Sequence, residues 1–107
     1  MPHYLVQAAY TPEAWATLVK NPQDRIKAIT PAVERLGGKV QEGYLAFGEY
    51  DIVVICEFPD NVTAAAFAAA ASAGGSVKAF KTTPLITMPE SVKAMKKASS
   101  SNYEPPG

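Results

Sequence analysis

The apolar residues of this chain fall into short runs of strand-like composition, separated by segments with helical spacing. Four runs rich in β-branched and aromatic residues are bounded by Gly, Pro, Asn or Asp and predict strands over 3–10, 39–47, 51–58 and 77–87. The second and third strands are joined at Gly48-Glu49-Tyr50, a connection short enough to force an antiparallel hairpin. Because Pro84 has no backbone N–H donor, the fourth strand is predicted to lie at a sheet edge.

Two helices are predicted between the first and second strands. Thr11 is a natural N-cap and Pro12 suits the first helical position, so a short helix follows the first strand. Asn21-Pro22 repeats this signal and predicts a second helix that runs to Leu36 and ends at Gly37-Gly38. Its apolar residues recur every three or four positions, at Ile26, Ile29, Val33 and Leu36.

The second half of the chain contains one main helix and one short helix. The alanine-dominated segment 60–73 predicts the main helix, because alanine has the highest helix propensity. The short helix is predicted over residues 89–98. The last residues, 99–107, have almost nothing to bury, so we expect one domain over residues 1–98 followed by a flexible tail.

The order strand, helix, two strands, helix, strand predicts an α+β fold of the ferredoxin-like βαββαβ type. With right-handed crossovers, the four antiparallel strands take the order 4-1-3-2, and both main helices lie on one face of the sheet. The third strand is apolar on both faces, since Val53 and Ile55 alternate with Ile52 and Val54. An uncovered apolar face is usually an interaction site, so we expect a homodimer that packs sheet against sheet, or a larger homo-oligomer.

Length and charge narrow the classes of partner. The chain has 107 residues, the size of one domain, and its ten basic residues are balanced by ten acidic ones. A chain without net charge does not attract the negatively charged phosphate backbone of DNA or RNA, so no nucleic acid partner is expected. Cys56 has no partner for a disulfide, which favours a cytoplasmic location. No basic leader and no apolar run of about 20 residues are present, so neither export nor membrane insertion is expected.

Polar residues at odd positions of the first and third strands are predicted to lie on the uncovered face. They are His3, Gln7, Asp51 and Glu57. Polar groups within an apolar cleft are typical of a ligand pocket. Glu57 and His3 are the candidate catalytic residues, each as a general base. The alternatives are that Glu57 is hydrated or paired with Lys78 or Lys81, and that His3 is an ordinary surface residue.

Five residues are candidate ligand contacts: Gln7, Tyr44, Tyr50, Asp51 and Lys81. The tyrosines suit an aromatic ligand and Lys81 suits an anionic group, whereas the structural alternatives are core packing for the aromatic rings and protection of a strand edge by the lysine. Cys56 is predicted to be structural, because apolar neighbours raise the pKa of a thiol and leave it inert. With one histidine and one cysteine in the chain, no metal site and no cofactor are predicted.

Several segments together resemble the GYD domain family of small bacterial proteins. They are Tyr4, Gly37-Gly38, the run from Gly48 through Asp51 into IVVICEFPD, DNVTAAAF at 60–67 and the late VKAFKTTPLIT. The resemblance covers roughly residues 3 to 96, and the family is named after the residue types matched here by Gly48, Tyr50 and Asp51. It implies a dimeric ferredoxin-like α/β barrel with no settled activity.

The three matched residues also have a structural explanation at a tight turn. Gly48 is predicted to take a positive φ angle, and Asp51 is predicted to accept hydrogen bonds from nearby backbone donors in an Asx-type turn. Tyr50 would then pack over the corner. The alternative is that these residues take part in catalysis.

Two functions remain open from the sequence. The first is a homo-oligomer that binds a small molecule in the cleft between sheets, without chemistry. The second is a cofactor-independent oxygenase or isomerase that acts on a small aromatic or lactone-like substrate, an analogy that rests on proteins of similar barrel fold alone. RNA binding through this topology needs a basic sheet with exposed aromatic residues, which the aliphatic third strand does not offer.

Overall fold

The computed structural model describes all 107 residues and contains every predicted element. In chain order the elements are β1 (His3–Tyr10), α1 (Pro12–Lys20), α2 (Arg25–Arg35), β2 (Lys39–Leu45), β3 (Ile52–Glu57), α3 (Asn61–Ala73), β4 (Val77–Leu85) and α4 (Met88–Ser99). None of these helices has both the length and the apolar character that a membrane span requires.

The four strands form one antiparallel sheet in the order β2-β3-β1-β4. This order confirms the predicted ferredoxin-like α+β fold, because it is the arrangement 4-1-3-2 written from the opposite edge. The two central strands, β1 and β3, pair along their lengths from His3↔Glu57 to Ala8↔Ile52. β4 is an edge strand, as the position of Pro84 predicted.

The core lies between one face of the sheet and the helices. Even-numbered residues of β1 and β3 point toward the helices and are buried, whereas the odd-numbered residues up to Gln7 and Glu57 remain partly exposed. Val33 of α2 and Phe67 of α3 pack into the same cluster. Its largest fully buried side chains are Tyr4, Phe58, Val33 and Cys56. The helices therefore cover one face of the sheet and leave the other open, as predicted.

The start of α2 differs from the prediction. Asn21 does not begin this helix but ends α1, where its backbone N–H donates to the carbonyl of Thr17 at 2.8 Å. The N-cap of α2 is Asp24. Its carboxylate accepts hydrogen bonds from the backbone N–H groups of Ile26 at 2.9 Å and Lys27 at 3.2 Å. Aspartate is a preferred N-cap residue, whereas Asn21 serves here as the C-cap of α1 through its backbone N–H.

Glycines end the two main helices. Gly37 and Gly75 both have positive φ angles, of 81° and 80°, and follow α2 and α3. The left-handed conformation carries no Cβ clash at glycine, so these residues act as the predicted C-terminal caps. Gly48 does not have a positive φ angle, and the prediction of one in the β2–β3 connection is wrong.

The last helix extends away from the rest of the molecule. None of the residues of α4 is buried, and no other element packs extensively against it. The radius of gyration is 17.0 Å, whereas a compact domain of this length has about 13 Å. We call α4 the arm. Residues 100–107 follow it without helix or strand and are exposed, and their flexibility stays a prediction.

Candidate functional site

The uncovered face of the sheet, here called the open face, is built from residues that face one another across the strands. Because directly paired residues of antiparallel strands point to the same side, the register defines the rows of this face. Across β3, β1 and β4 the rows are Val53–Gln7–Lys81, Ile55–Leu5–Thr83 and Glu57–His3–Leu85. The middle row is apolar at its centre, and polar groups lie at both ends of the face.

One end of the open face holds three of the predicted ligand residues. Gln7, Tyr50 and Lys81 line a shallow cavity of about 370 Å³ together with Val53 and Phe47. Gln7 and Lys81 are direct cross-strand partners, and Tyr50 reaches the same place from the β2–β3 connection. An amide, a phenol and an ammonium group beside apolar side chains are suited to a small polar ligand, and that role stays a prediction.

The opposite end of the open face holds the two predicted catalytic residues. His3 Nε2 lies 3.6 Å from Glu57 Oε1, and no other basic and acidic side chains of the chain lie within 4.0 Å of each other, so Glu57 pairs with neither Lys78 nor Lys81. The side chain of Glu57 is 18 % exposed and that of His3 is 37 % exposed. At this separation the imidazole and the carboxylate are neighbours but are not hydrogen-bonded to each other. Their catalytic role stays a prediction.

The two ends of the open face do not form one site. His3 and Gln7 are four residues apart on β1, which places them about 13 Å from each other along the strand. His3 lines a different cavity, beside Leu85 and Thr87 at the start of the arm. The candidate catalytic pair and the candidate ligand residues therefore lie at separate places on the same face.

Asp51 does not lie on the open face, and the prediction that it does is wrong. Its Oδ2 atom accepts a hydrogen bond from the backbone N–H of Tyr10 at 2.8 Å and another from the indole N–H of Trp15 at 3.3 Å. These donors are remote in sequence, so the predicted Asx-type turn is also wrong. The backbone pairing of β1 with β3 ends at Ala8↔Ile52. Asp51 provides a hydrogen-bond acceptor for the backbone N–H of Tyr10, which lies beyond that end.

Tyr44 lies in the same row of the open face as Gln7 and Lys81, at the β2 edge of the sheet. It pairs with Val53 and therefore points to the open face, and it also borders a cavity of about 350 Å³ on the α1 side. The other walls of that cavity include Tyr10, Trp15 and Ile52. The structure thus brings together Gln7, Tyr50 and Lys81 and places Tyr44 at the edge of the same row.

Arg25 is a residue of interest that the sequence analysis missed. It lines the α1-side cavity and two adjoining ones, in each case together with Tyr10. The signal was present in the sequence, since Arg25 lies four residues before Ile29 and so falls on the apolar face of α2. A charged residue in that position either pairs with an acid or faces a cavity.

Burial changes the acid–base properties of two side chains. It raises the pKa of the Cys56 thiol to about 11, in the direction predicted from its apolar neighbours, and the low reactivity of the thiol stays a prediction. Burial likewise raises the pKa of Tyr10, an effect that the nearby charge of Asp51 strengthens and Arg25 opposes. No group of three or more His, Cys, Asp or Glu side chains is placed to hold a metal ion.

Comparison with known proteins agrees with this architecture. The model of the GYD domain family matches residues 4–95. A protein of Thermus thermophilus named glutamine synthetase and cystathionine beta-lyase binding protein is 38 % identical over 79 residues, which cover 73 % of this chain and 82 % of that protein. The match includes the β2–β3 connection from which the family takes its name, and the chain belongs to the GYD domain family.

Proposed function

We propose that this protein is a homo-oligomeric binding protein whose target is another protein. The observation that carries the proposal is the open face, where Leu5, Val53 and Ile55 are only partly covered and no helix of the same chain lies over them. Apolar sheet faces of this kind are usually interaction sites. A second copy that packs sheet against sheet, related by a two-fold axis, would cover both open faces at once.

The exposed surface of the chain supports a second copy. The chain exposes 7422 Å², whereas a compact monomer of 11.4 kDa exposes about 5,800 Å². An excess of about 1,600 Å² in each copy corresponds to roughly 3,200 Å² in a pair, within the range of obligate dimers. Part of the excess comes from the arm, where Met88, Val92 and Met95 form an exposed apolar stripe at helical spacing.

Exposed apolar residues at the β2 end of the sheet, at the rim of the open face, are available for a different protein. Tyr44, Leu45 and Phe47, here called the hairpin patch, lie at the end of β2 and the start of its connection to β3, and Phe47 is 95 % exposed. Large exposed aromatic and aliphatic residues act as anchors at protein interfaces. The relative from Thermus thermophilus is named as a protein that binds two enzymes, which supports the same kind of role for this chain.

The oligomer is tested by light scattering coupled to size-exclusion chromatography. We expect the wild-type protein to be at least a dimer at micromolar concentration, and Val53→Lys to be monomeric, because a charge at the centre of a buried face is strongly unfavourable. Val62→Lys, on the exposed surface of α3, is the matched control and should keep the wild-type mass. A monomeric wild-type protein would contradict the proposal.

The protein target is tested with purified glutamine synthetase and cystathionine β-lyase, the two enzymes in the name of the relative. We expect at least one to bind, as measured by isothermal titration calorimetry, and Phe47→Ser to weaken binding at least tenfold. Val62→Ser removes another exposed apolar side chain and should bind like the wild type. Failure of both enzymes to bind, or unchanged binding by Phe47→Ser, would count against this assignment.

A second candidate function is the binding of a small molecule in the cleft between the two sheets of such a dimer. The observation that favours it is the cavity lined by Gln7, Tyr50 and Lys81, because a second copy would close it from above. A ligand that binds there would raise the melting temperature without forming a product. Lys81→Met should abolish that rise, whereas Lys78→Met on the same strand should not.

An enzymatic alternative, at the opposite end of the open face from this cavity, is a cofactor-independent oxygenase or isomerase, and the His3–Glu57 contact is what supports it. In that case Glu57→Gln and His3→Ala would each abolish turnover and leave the melting temperature close to that of the wild type. Full activity of both variants on an identified substrate would exclude this pair from catalysis.

A further inference from the structure

A groove of about 340 Å³ lies between α2 and α3, over the helix-side face of the sheet. It is lined by 17 residues, of which 14 are hydrophobic. Val6 and Val54 belong to the sheet beneath it, and its walls are alanines of the two helices: Ala28, Ala32, Ala70 and Ala71. The groove is on the opposite side of the sheet from the open face and is separate from the dimer surface proposed above.

Small side chains border the groove on both helices. α2 and α3 do not pack extensively against each other, and the alanines that border the space between them leave it unfilled. Protein interiors are normally packed without voids of this size, and apolar surface left in contact with water is unfavourable. A molecule with an apolar body would therefore gain free energy by entering the groove.

One end of the groove carries an unpaired positive charge. The Arg25 guanidinium lines both the groove and the α1-side cavity next to it, and it is half-buried. It donates a hydrogen bond to the side-chain oxygen of Gln23 at 2.9 Å and also contacts the hydroxyl of Tyr10, and no carboxylate lies within 4.0 Å of it. A guanidinium beside an apolar cavity is suited to bind a carboxylate or another oxyanion through two parallel hydrogen bonds.

From this arrangement we propose that the groove between α2 and α3 binds a small amphiphilic anion, a molecule with an apolar body and a single acidic group. The body lies between the alanines, against the partly exposed side chains of Ile29 and Phe80, and the acidic group pairs with Arg25. The positive charge of α2 favours an anionic ligand over the arm of a second copy as the occupant of the groove. The arm carries Lys93, Lys96 and Lys97, which would be repelled by the predominantly basic helix α2.

The fluorescent probe 1-anilinonaphthalene-8-sulfonate has the required chemistry, and the test uses the full chain in its native oligomeric state. We expect saturable binding of one probe per chain and its displacement by decanoate. Ala71→Phe fills the groove and should weaken binding at least tenfold. Ala65→Phe, at an exposed position of the same helix outside the groove, is the matched control and should bind like the wild type.

The charge is tested by a second pair of variants. Arg25→Gln should weaken probe binding about tenfold, and Arg25→Lys should restore part of the loss because it keeps a positive charge. Arg35→Gln removes an exposed arginine at the other end of α2, away from the groove, and should have no effect. If circular dichroism shows that Ala71→Phe does not fold, Ala70→Leu, at the rim of the groove, is used as the groove-filling variant.

Three results would overturn the proposal. They are the absence of saturable binding, unchanged binding by Ala71→Phe and Arg25→Gln, and loss of binding in Val53→Lys alone. The last result would place the probe on the open face instead. Because Val53 is on the other side of the sheet, failure of the groove proposal and failure of the proposed oligomer give different patterns among these variants.

Discussion

Asp51 accepts a hydrogen bond from the backbone N–H of Tyr10 at 2.8 Å, although the two residues are 41 positions apart in the chain. The bond joins the end of β1 to the start of β3 at the point where their ladder has ended. The same carboxylate also holds the indole N–H of Trp15, so one side chain connects α1 to two strands. The aspartate in the family name therefore has a structural role in this chain.

Replacement of Asp51 should destabilise the fold. Asp51→Ala leaves the buried N–H of Tyr10 without an acceptor, which we expect to lower the free energy of unfolding by about 2–3 kcal/mol. Asp51→Asn keeps an acceptor oxygen and should cost less. Urea denaturation measures both, and Glu49→Ala in the same connection is the control. An unchanged midpoint for Asp51→Ala would show that water satisfies the donor.

The glycines at 38 and 48 should respond differently to substitution. A Cβ atom at Gly38 would lie 2.6 Å from the carbonyl oxygen of Glu57 and 2.7 Å from the Phe58 ring, so Gly38→Ala should lose about 1–3 kcal/mol of stability. A Cβ atom at Gly48 meets nothing within 4 Å and the φ angle there is not positive. Gly48→Ala should therefore stay within about 0.5 kcal/mol of the wild type by thermal denaturation. A large loss for Gly48→Ala would contradict this.

Cys56 should make stability depend on alkaline pH. Its pKa is about 11 in the folded state against an ordinary value of 9.0, so the folded protein retains a proton that the unfolded chain loses. The stabilisation is complete below pH 9 and is lost as the pH rises through 11, by about 3 kcal/mol in total. Wild type and Cys56→Ala are compared by urea denaturation from pH 8 to 11. The difference between the two proteins should shrink over that range, and a constant difference would refute the prediction.

The thiol of Cys56 should also be slow to react in the native protein. At pH 8 only about one molecule in a thousand carries the thiolate when the pKa is near 11. We expect a disulfide reagent to label Cys56 at least tenfold more slowly in buffer than in urea, where the chain is unfolded. Equal rates in the two solutions would mean that the thiol is exposed.

The arm should contribute to association and not to folding. Removal of residues 88–107 takes away no buried side chain, so the circular dichroism and the urea midpoint of a monomeric background such as Val53→Lys should not change. In the wild-type background, the double substitution Met88→Ser and Met95→Ser should raise the dissociation constant at least tenfold, because the exposed stripe would be polar. Lys93→Ser with Lys97→Ser is the control on the same helix. Equal dissociation constants would place the arm outside the interface.

Local chemistry in the sequence was enough to predict the elements. The bounds of β1 followed from a run of β-formers stopped by Thr11-Pro12, and the bounds of α3 followed from alanines between Asp60 and two glycines. The start of α2 was predicted too early because two residues that favour the N-cap position, Asn21 and Asp24, lie within four positions of each other. In the structure Asn21 is the C-cap of α1 and Asp24 is the N-cap of α2.

The sequence by itself determined the strands, the main helices, their order and the apolar character of both faces of β3, because these depend on residues near one another in the chain. Only the tertiary structure decided that Asp51 bonds to Tyr10, that Arg25 faces a cavity and that His3 lies beside Glu57. These relationships depend on where the β1–β3 ladder ends and on how closely helices approach the sheet. The alternation of residue types along the chain predicts neither of these, because the hydrogen-bond donors, the acceptors and the residues that line the cavities come from distant parts of the chain.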